Sequence, residues 1–237
     1  MSAVVGGGVC VVAGVGPGTG LACAERFANG GYQVAMLARR ESRLKEWAAA
    51  TNNTHAFASD VTDRAALEAA FGAIRDKLGP VDVLVYNAAM GSFAEFMDLE
   101  AGVLEGNFQI NTMGLFHCGQ LAAADMLDNG AGSIVITGNT SARRGKANFA
   151  GFAPTKAAQR ILGESMARSL GPKGIHVSYL VIDAVIDLEW TRKRMPDAPD
   201  DYFARPADIA ESVWQLAHQP KSTWTFETEI RPFAENW

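Results

Sequence analysis

Residues 9–28 read VCVVAGVGPGTGLACAERFA, and this stretch decides the fold. Val9 to Ala13 is a short, β-branched apolar run that ends in Gly14-Val15-Gly16-Pro17-Gly18-Thr19-Gly20, after which Leu21, Ala22, Ala24, Phe27 and Ala28 recur at helical spacing. The pattern is strand, glycine turn, helix. In such a turn no Cβ obstructs the backbone N–H groups at the helix N-terminus, and the helix dipole favours negative charge, so a pyrophosphate fits there. A tight turn without a ligand is the plainer alternative. The position in the first strand-to-helix junction is where a dinucleotide-binding fold needs such a turn.

Working outward, Gly30-Gly31 closes the first helix, and a second apolar run from Tyr32 to Ala38 stops at Arg39-Arg40. A charged helix from Ser42 to Ala50 follows, then a strand from His55 to Ser59 ending at Asp60, then a helix from Asp63 to Leu78 capped by Thr62 or Asp63. Val81 to Tyr86 is the fourth strand and stops at Asn87-Ala88-Ala89. Beyond it the pattern predicts a long helix over Leu104 to Leu127, a strand over Ser133 to Thr137, and a helix over Phe152 to Leu170 ended by Gly171-Pro172. A sixth strand, Ile175 to Ile182, runs into Asp183, and a helix (Pro206 to Ala217) and a strand (Thr223 to Ile230) close the chain. Residues 187–205, rich in charge and proline, read as a mobile segment within the domain and not as a linker. Strands alternating with helices imply one α/β domain over residues 1–237: a doubly wound parallel sheet of about seven strands, helices on both faces, ligand at the carboxyl ends of the strands.

Composition narrows the function classes. With 237 residues, 48% of them hydrophobic, the chain buries a sizeable core. A net charge of -5 supplies no basic field for nucleic acid, and the Arg/Lys clusters are short and scattered. Cys10, Cys23 and Cys118 are odd in number, far apart and set among apolar residues, which points to buried free thiols in a reducing compartment. His55, His117, His176 and His218 are isolated, so no metal site is expected. The leading run lacks a positive segment and is too short to span a bilayer, so the expectation is a soluble, cytoplasmic protein with no membrane partner.

The spacing Gly14-x-x-x-Gly18-x-Gly20, together with Asn87-Ala88-Ala89 after the fourth strand, resembles the short-chain dehydrogenase/reductase family, in order and spacing over essentially the whole chain. The resemblance implies a Rossmann-type fold that binds a nicotinamide dinucleotide through Gly14, Gly18, Thr19 and Gly20, with Asp60-Val61 at the adenine and Asn87-Ala88 beside the ribose. A helix-capping role is the alternative for Asp60. After the second strand an acid would accept hydrogen bonds from a ribose 2′-OH, whereas arginine pairs with a 2′-phosphate. Arg39 and Arg40 stand there without an acid, which favours NADP(H) over NAD(H) unless they simply cap an exposed loop.

The resemblance also implies a catalytic serine, tyrosine and lysine, helped by an asparagine that holds a relay water. Residues 139–156, NTSARRGKANFAGFAPTK, have the length and setting of that segment. Lys156 and Asn111 fill the lysine and asparagine positions, while Phe152 falls at the tyrosine position and Asn139 at the serine position. Residues four apart share a helix face, so Phe152 and Lys156 are expected to look into the cleft together. Lys156 would grip the ribose and the Asn139 amide would polarise a carbonyl, but Phe152 cannot donate a proton. A displaced acid is one resolution, with Asp183 the first candidate because a buried carboxyl beside an apolar ring suits a proton donor; Thr140, Ser141, Thr155 and Tyr86 are others. A substrate that needs no strong acid, such as an iminium or an activated alkene, is a second, and a dinucleotide bound without redox turnover is a third. The expected partner is a small organic substrate (carbonyl, imine or activated alkene). Trp190, Met195, Tyr202 and Phe203 are lid residues that line its pocket or else pack as core. By the same resemblance, the long helix and the Phe152 helix pair copies into a homodimer or homotetramer.

Overall fold

The computed structural model describes residues 7–234, so residues 1–6 of the leading run and 235–237 at the end of the expected domain lie outside the described part. Its chain order is β1 (Val9–Ala13), α1 (Thr19–Asn29), β2 (Gln33–Ala38), α2 (Glu41–Ala50), β3 (Thr54–Ala58), α3 (Arg64–Leu78), β4 (Val81–Tyr86), α4 (Ala101–Phe108), α5 (Gly114–Asn129), β5 (Gly132–Asn139), α6 (Ala153–Leu170) and β6 (Ile175–Ile182). Then come β7 (Val185–Ile186), α7 (Glu189–Arg194), β8 (Phe203–Ala204), α8 (Pro206–Ala217) and β9 (Glu227–Ile230). Seven strands form one sheet in the order β3-β2-β1-β4-β5-β6-β9, and every neighbouring pair is parallel.

Alternation along β1 explains why helices cover both faces. Val9, Val11 and Ala13 join one buried cluster with α3, α5 and α6, while Cys10 and Val12 join a second with α1, α2 and α8. A strand buried on both sides reads as an unbroken apolar run, as VCVVA does. The chain leaves β1 toward β2 and β3 on one side and crosses back to β4 on the other, so the sheet opens a crevice at the carboxyl ends of β1 and β4.

Three boundaries differ from the pattern-based expectation. The long helix runs from Ala101 to Asn129 and is broken in its middle by a π-turn, Gln109–Met113, which apolar periodicity cannot show because both flanks keep their own phase. The last strand starts at Glu227, not Thr223: Trp224 Nε1 donates to the Gln219 carbonyl and the Thr225 N–H to Gln219 Oε1, which ties that stretch into a loop. Residues 187–205 carry regular structure, α7 and one strand of the short parallel ribbon β7–β8. There Thr191 Oγ1 donates to the Ile186 carbonyl and Arg192 clasps Asp187 through two hydrogen bonds. Among the described residues no helix is long and apolar enough to cross a membrane, and no cluster of His, Cys, Asp or Glu could hold a metal.

Candidate active site

The crevice at the β1/β4 switch is a cavity of about 990 Å³ lined by the glycine turn, by Arg39 and Arg40 after β2, by Asp60 and Val61 after β3, and by Asn87 and Ala88 after β4. Its geometry requires glycine. Gly14 sits at φ +91°, and a Cβ there would lie 2.3 Å from the Ala88 backbone nitrogen; a Cβ on Gly20 would lie 2.5 Å from the Gly14 carbonyl oxygen. Asn87 welds the turn to the sheet: its Nδ2 donates to the Gly14 carbonyl at 2.9 Å, and its Oδ1 accepts from Thr137 Oγ1 at 3.0 Å. Asp60 is not the helix cap. That role belongs to Asp63, which accepts from the Ala66 N–H, whereas Asp60 Oδ1 accepts from both the backbone and the hydroxyl of Thr62 and keeps the carboxylate at the cavity wall. Arg39 and Arg40 are exposed at the rim, and neither forms an ion pair among the described residues. The pattern reading missed Arg43 and Trp47, one turn apart on α2 with the guanidinium 5.8 Å from the indole centroid, which line the same end. The motif pointed to strand ends, and these two sit on the helix beyond. The cradle that a Cβ would fill, the helix N-terminus and the unpaired guanidiniums together fit a phosphorylated dinucleotide.

The π-turn organises the other end of the crevice. Gly114 N–H reaches back five residues to the Gln109 carbonyl, and inside this turn the carbonyls of Ile110 and Asn111 accept from side chains. Two buried side chains take them up: the Tyr86 hydroxyl donates to Ile110 O, and Gln159 Nε2 donates to Asn111 O at 2.7 Å. The Asn111 side chain is spent as a clamp, accepting from the Met90 N–H and donating to Met90 O and to Thr155 Oγ1. Lys156, 2% exposed, lies beneath this turn. Its Nζ donates to Gln159 Oε1 and to the Thr137 carbonyl, both neutral acceptors, and burial without an anionic partner pulls its pKa down to about 7. An ammonium carries three N–H donors, so one is left for a ligand.

Phe152 and Lys156 are both buried, and neither lines the 990 Å³ cavity, whose wall ends at Met90 and Ile110. The reason is packing. Phe152 is the N-cap residue of α6, not its first turn, and its ring is edge-on to Phe93 and Phe149 at 6.4 and 6.3 Å. Lys156 instead finds its acceptors on the sheet side. Asn139 ends β5; its Oδ1 accepts from the Ser141 N–H and caps a short 3-10 turn, leaving its amide N–H groups for a ligand. Among the alternative acids, Asp183 is only half-buried, its N–H held by the Ile230 carbonyl, so the enclosure expected of it is incomplete. Burial raises the Tyr86 pKa well above its ordinary value while its proton is committed to Ile110, and Thr155 Oγ1 donates to the Phe152 carbonyl. Of the lid residues, Trp190 is 61% exposed and joins Leu188 and Ile186 on the crevice wall, whereas Phe203 is buried with the Arg192 guanidinium 4.1 Å from its ring centroid. Cys10, Cys23 and Cys118 are buried and free, and burial lifts the last two thiols to about 12.

The family model for the short chain dehydrogenases matches residues 8–194. The chain belongs to the short-chain dehydrogenase family. It is 30% identical over 220 residues to the 3-oxoacyl-[acyl-carrier-protein] reductase MabA of Mycobacterium tuberculosis, covering 90% of this chain and 86% of that one. A solved short-chain dehydrogenase from Rhodopseudomonas palustris superposes with a TM-score of 0.81 at 32% identity, over 95% of this chain and 99% of the other. An alcohol dehydrogenase from Thermococcus sibiricus, complexed with 5-hydroxy-NADP, gives 0.86 at 25% identity over 96% and 97%. At the inner end of the site, Gln159 is a further residue that pattern reading missed. Its signal was a polar amide one turn beyond Lys156, on the helix stripe that faces the sheet.

Proposed function

We propose that the protein is an NADP(H)-dependent oxidoreductase that moves hydride between a nicotinamide and a small organic substrate, a carbonyl, imine or activated alkene, through a site without the usual tyrosine acid. The observation that carries this reading is the phosphate-compatible crevice together with Lys156, buried behind the Ile110-Asn111 turn and tied to it through Gln159. Arg39 and Arg40 would hold the 2′-phosphate, the glycine turn with Thr19 the pyrophosphate, Asp60 and Val61 the adenine side, and Asn87, Ala88 and Lys156 the ribose near the reacting ring. When bound, the dinucleotide supplies the hydride. The chain supplies position: Asn111 clamps Met90 and Thr155 so that the two walls keep a fixed gap, and Asn139 offers amide N–H groups to a substrate oxygen. Phe152 takes the place of the acid, an effect of ~10² to 10⁴ in rate that orientation and preorganised dipoles must offset. In this reading residues 1–237 act as one domain and the segment over 187–205 as a lid. The free thiols suit a reducing cytoplasm, and exposed Phe108, Phe116 and Ile161 on the long helix and α6 pair copies into a dimer or tetramer.

A second reading, a dinucleotide-binding protein without redox turnover, draws on Phe152 and on the side-chain amide that ties Lys156 back. One experiment separates the two. NADPH and NADH are titrated against tryptophan fluorescence, for which Trp47 and Trp190 line the crevice, and NADPH consumption is screened over ketones, iminium salts and activated alkenes. The proposal expects NADPH to bind at least tenfold tighter, Arg39→Ala to narrow the gap, and one substrate class to turn over. Equal affinities would sink the cofactor assignment, and tight binding with silence across all classes would leave the non-redox reading.

A further inference from the structure

We infer that Gln159 is a positioning residue that closes the lysine end of the proton path, so that the site favours acceptors that need hydride alone, iminium cations being the class. This rests on the oxidoreductase reading above. Gln159 is fully buried and bridges the lysine and the asparagine beside which the family resemblance puts a relay water: its Oε1 accepts from Lys156 Nζ, and its Nε2 donates to the Asn111 carbonyl at 2.7 Å. A side-chain amide passes on a hydrogen bond but not a proton, because neither its N–H nor its oxygen exchanges one near neutrality. The other groups facing Lys156 and its amide lead nowhere either. Thr137 offers a carbonyl at 3.3 Å, and the Tyr179 hydroxyl, 3.5 Å from Gln159 Oε1, has its pKa raised by burial. Lys156 can therefore donate to a ligand, but it has no chain of exchangeable groups behind it from which to be reloaded.

The substrate end is closed to the same degree. The ring of Phe152 is covered edge-on by Phe93 and Phe149, which themselves stand 5.2 Å apart, and three phenyl rings supply no proton. An iminium carbon that takes up hydride needs none: a C–H bond forms, the C=N pair becomes the nitrogen lone pair, and the cofactor leaves oxidised. A ketone that takes up hydride leaves an alkoxide, which must find a proton that Phe152 and the rings around it cannot supply. Chemistry then divides the two acceptors even where both fit the space.

The test pairs Phe152→Tyr with Gln159→Ala and uses an N-methylated cyclic iminium salt and the ketone of the same ring size as probes. Wild type should consume NADPH with the iminium salt and not with the ketone. Each single variant should gain less than about fivefold on the ketone, and the double variant ~10²-fold, because acid and relay are restored together. A crystal structure of Gln159→Ala should hold a water between the Asn111 carbonyl and Lys156 Nζ. Gln159→Glu, which keeps the space filled but puts an exchangeable carboxyl group against Lys156, should also gain on the ketone beside Phe152→Tyr; it stands in if the alanine variant does not fold, and retained NADPH binding certifies either protein. Phe152→Tyr alone matching the double variant, no water in the alanine variant, or equal wild-type rates on both probes would overturn the inference while leaving the oxidoreductase reading intact. NADPH binding with no turnover in any variant would overturn both.

Discussion

Replacing Lys156 by methionine, a side chain of similar length without charge, should abolish a specific part of the protein's pH-dependent stability. Folding takes the lysine from water to a fully buried site with neutral acceptors, and its pKa falls from 10.5 to about 7. Between those values the unfolded chain binds a proton that the folded chain does not, so stability rises with pH across the window; below pH 7 both states are protonated and the slope fades. Integrated from pH 6 to 8.5, the lysine contributes a rise of about 2 kcal/mol, and the full span to 10.5 corresponds to about 5. His55, His176 and His218, whose pKa values burial lowers, add a rise of the same sign near pH 6. They are common to both chains and cancel in the difference. The buried thiols, raised from 9.0 to about 12, contribute a fall in stability that begins at the top of this range and cancels in the same way. Urea unfolding of both proteins without dinucleotide, at half-unit steps from pH 6 to 8.5, gives that difference directly. A difference between wild type and Lys156→Met that stays flat with pH would mean that the folded lysine keeps its ordinary affinity for a proton, and the account of the site would fail.

Three further substitutions test the glycine turn and the packing behind the crevice. Gly14→Ala combines a left-handed backbone with a contact to Ala88, for an expected loss of about 2 to 6 kcal/mol, whereas Gly16→Ala, where a Cβ meets nothing within 4 Å, should stay within about 0.5 in the same urea measurement. Tyr86→Phe removes the hydroxyl that donates to the Ile110 carbonyl and should cost about 1 to 3 kcal/mol at an unchanged m-value; a neutral result would mean that water replaces it.

The sheet was legible because its signals are local. An unbroken apolar run such as VCVVA is what a strand covered on both faces must be, so a doubly wound parallel sheet of about seven strands, with the ligand edge at their carboxyl ends, followed from the chain. Arg39, Arg40, Asp60, Val61, Asn87 and Ala88 on the crevice wall followed for the same reason, since they stand directly after strands, whereas Arg43 and Trp47 on α2 did not. What the chain hid was the inner end of the site. Nothing in FQINTMG announces a π-turn, because inserting one residue in a helix leaves both flanking stripes apolar, and the two carbonyls inside it are met by side chains from β4 and α6, distant in sequence. Spacing four along a helix correctly put Phe152 and Lys156 near each other but could not say that one would cap the helix and the other would turn toward the sheet.

The energetics of that inner end bear on whether the site has a use. A buried lysine with no carboxylate beside it lowers stability at neutral pH by several kcal/mol relative to an apolar side chain of equal volume. Gln159 increases the commitment, because its amide must be fully buried and satisfied at both ends for the arrangement to hold, and it is satisfied, by the lysine on one side and the Asn111 carbonyl on the other. A fold maintained only for its shape has a cheaper solution at both positions, leucine and methionine in place of amide and amine, with the π-turn relaxed to a regular helix. The chain instead keeps an amine with one unused N–H beside a crevice whose other end is set for phosphate. That combination is coherent under the proposed function, in which a ligand hydroxyl would complete the lysine's third hydrogen bond, Lys156 would hold the dinucleotide and proton supply would fall to the substrate.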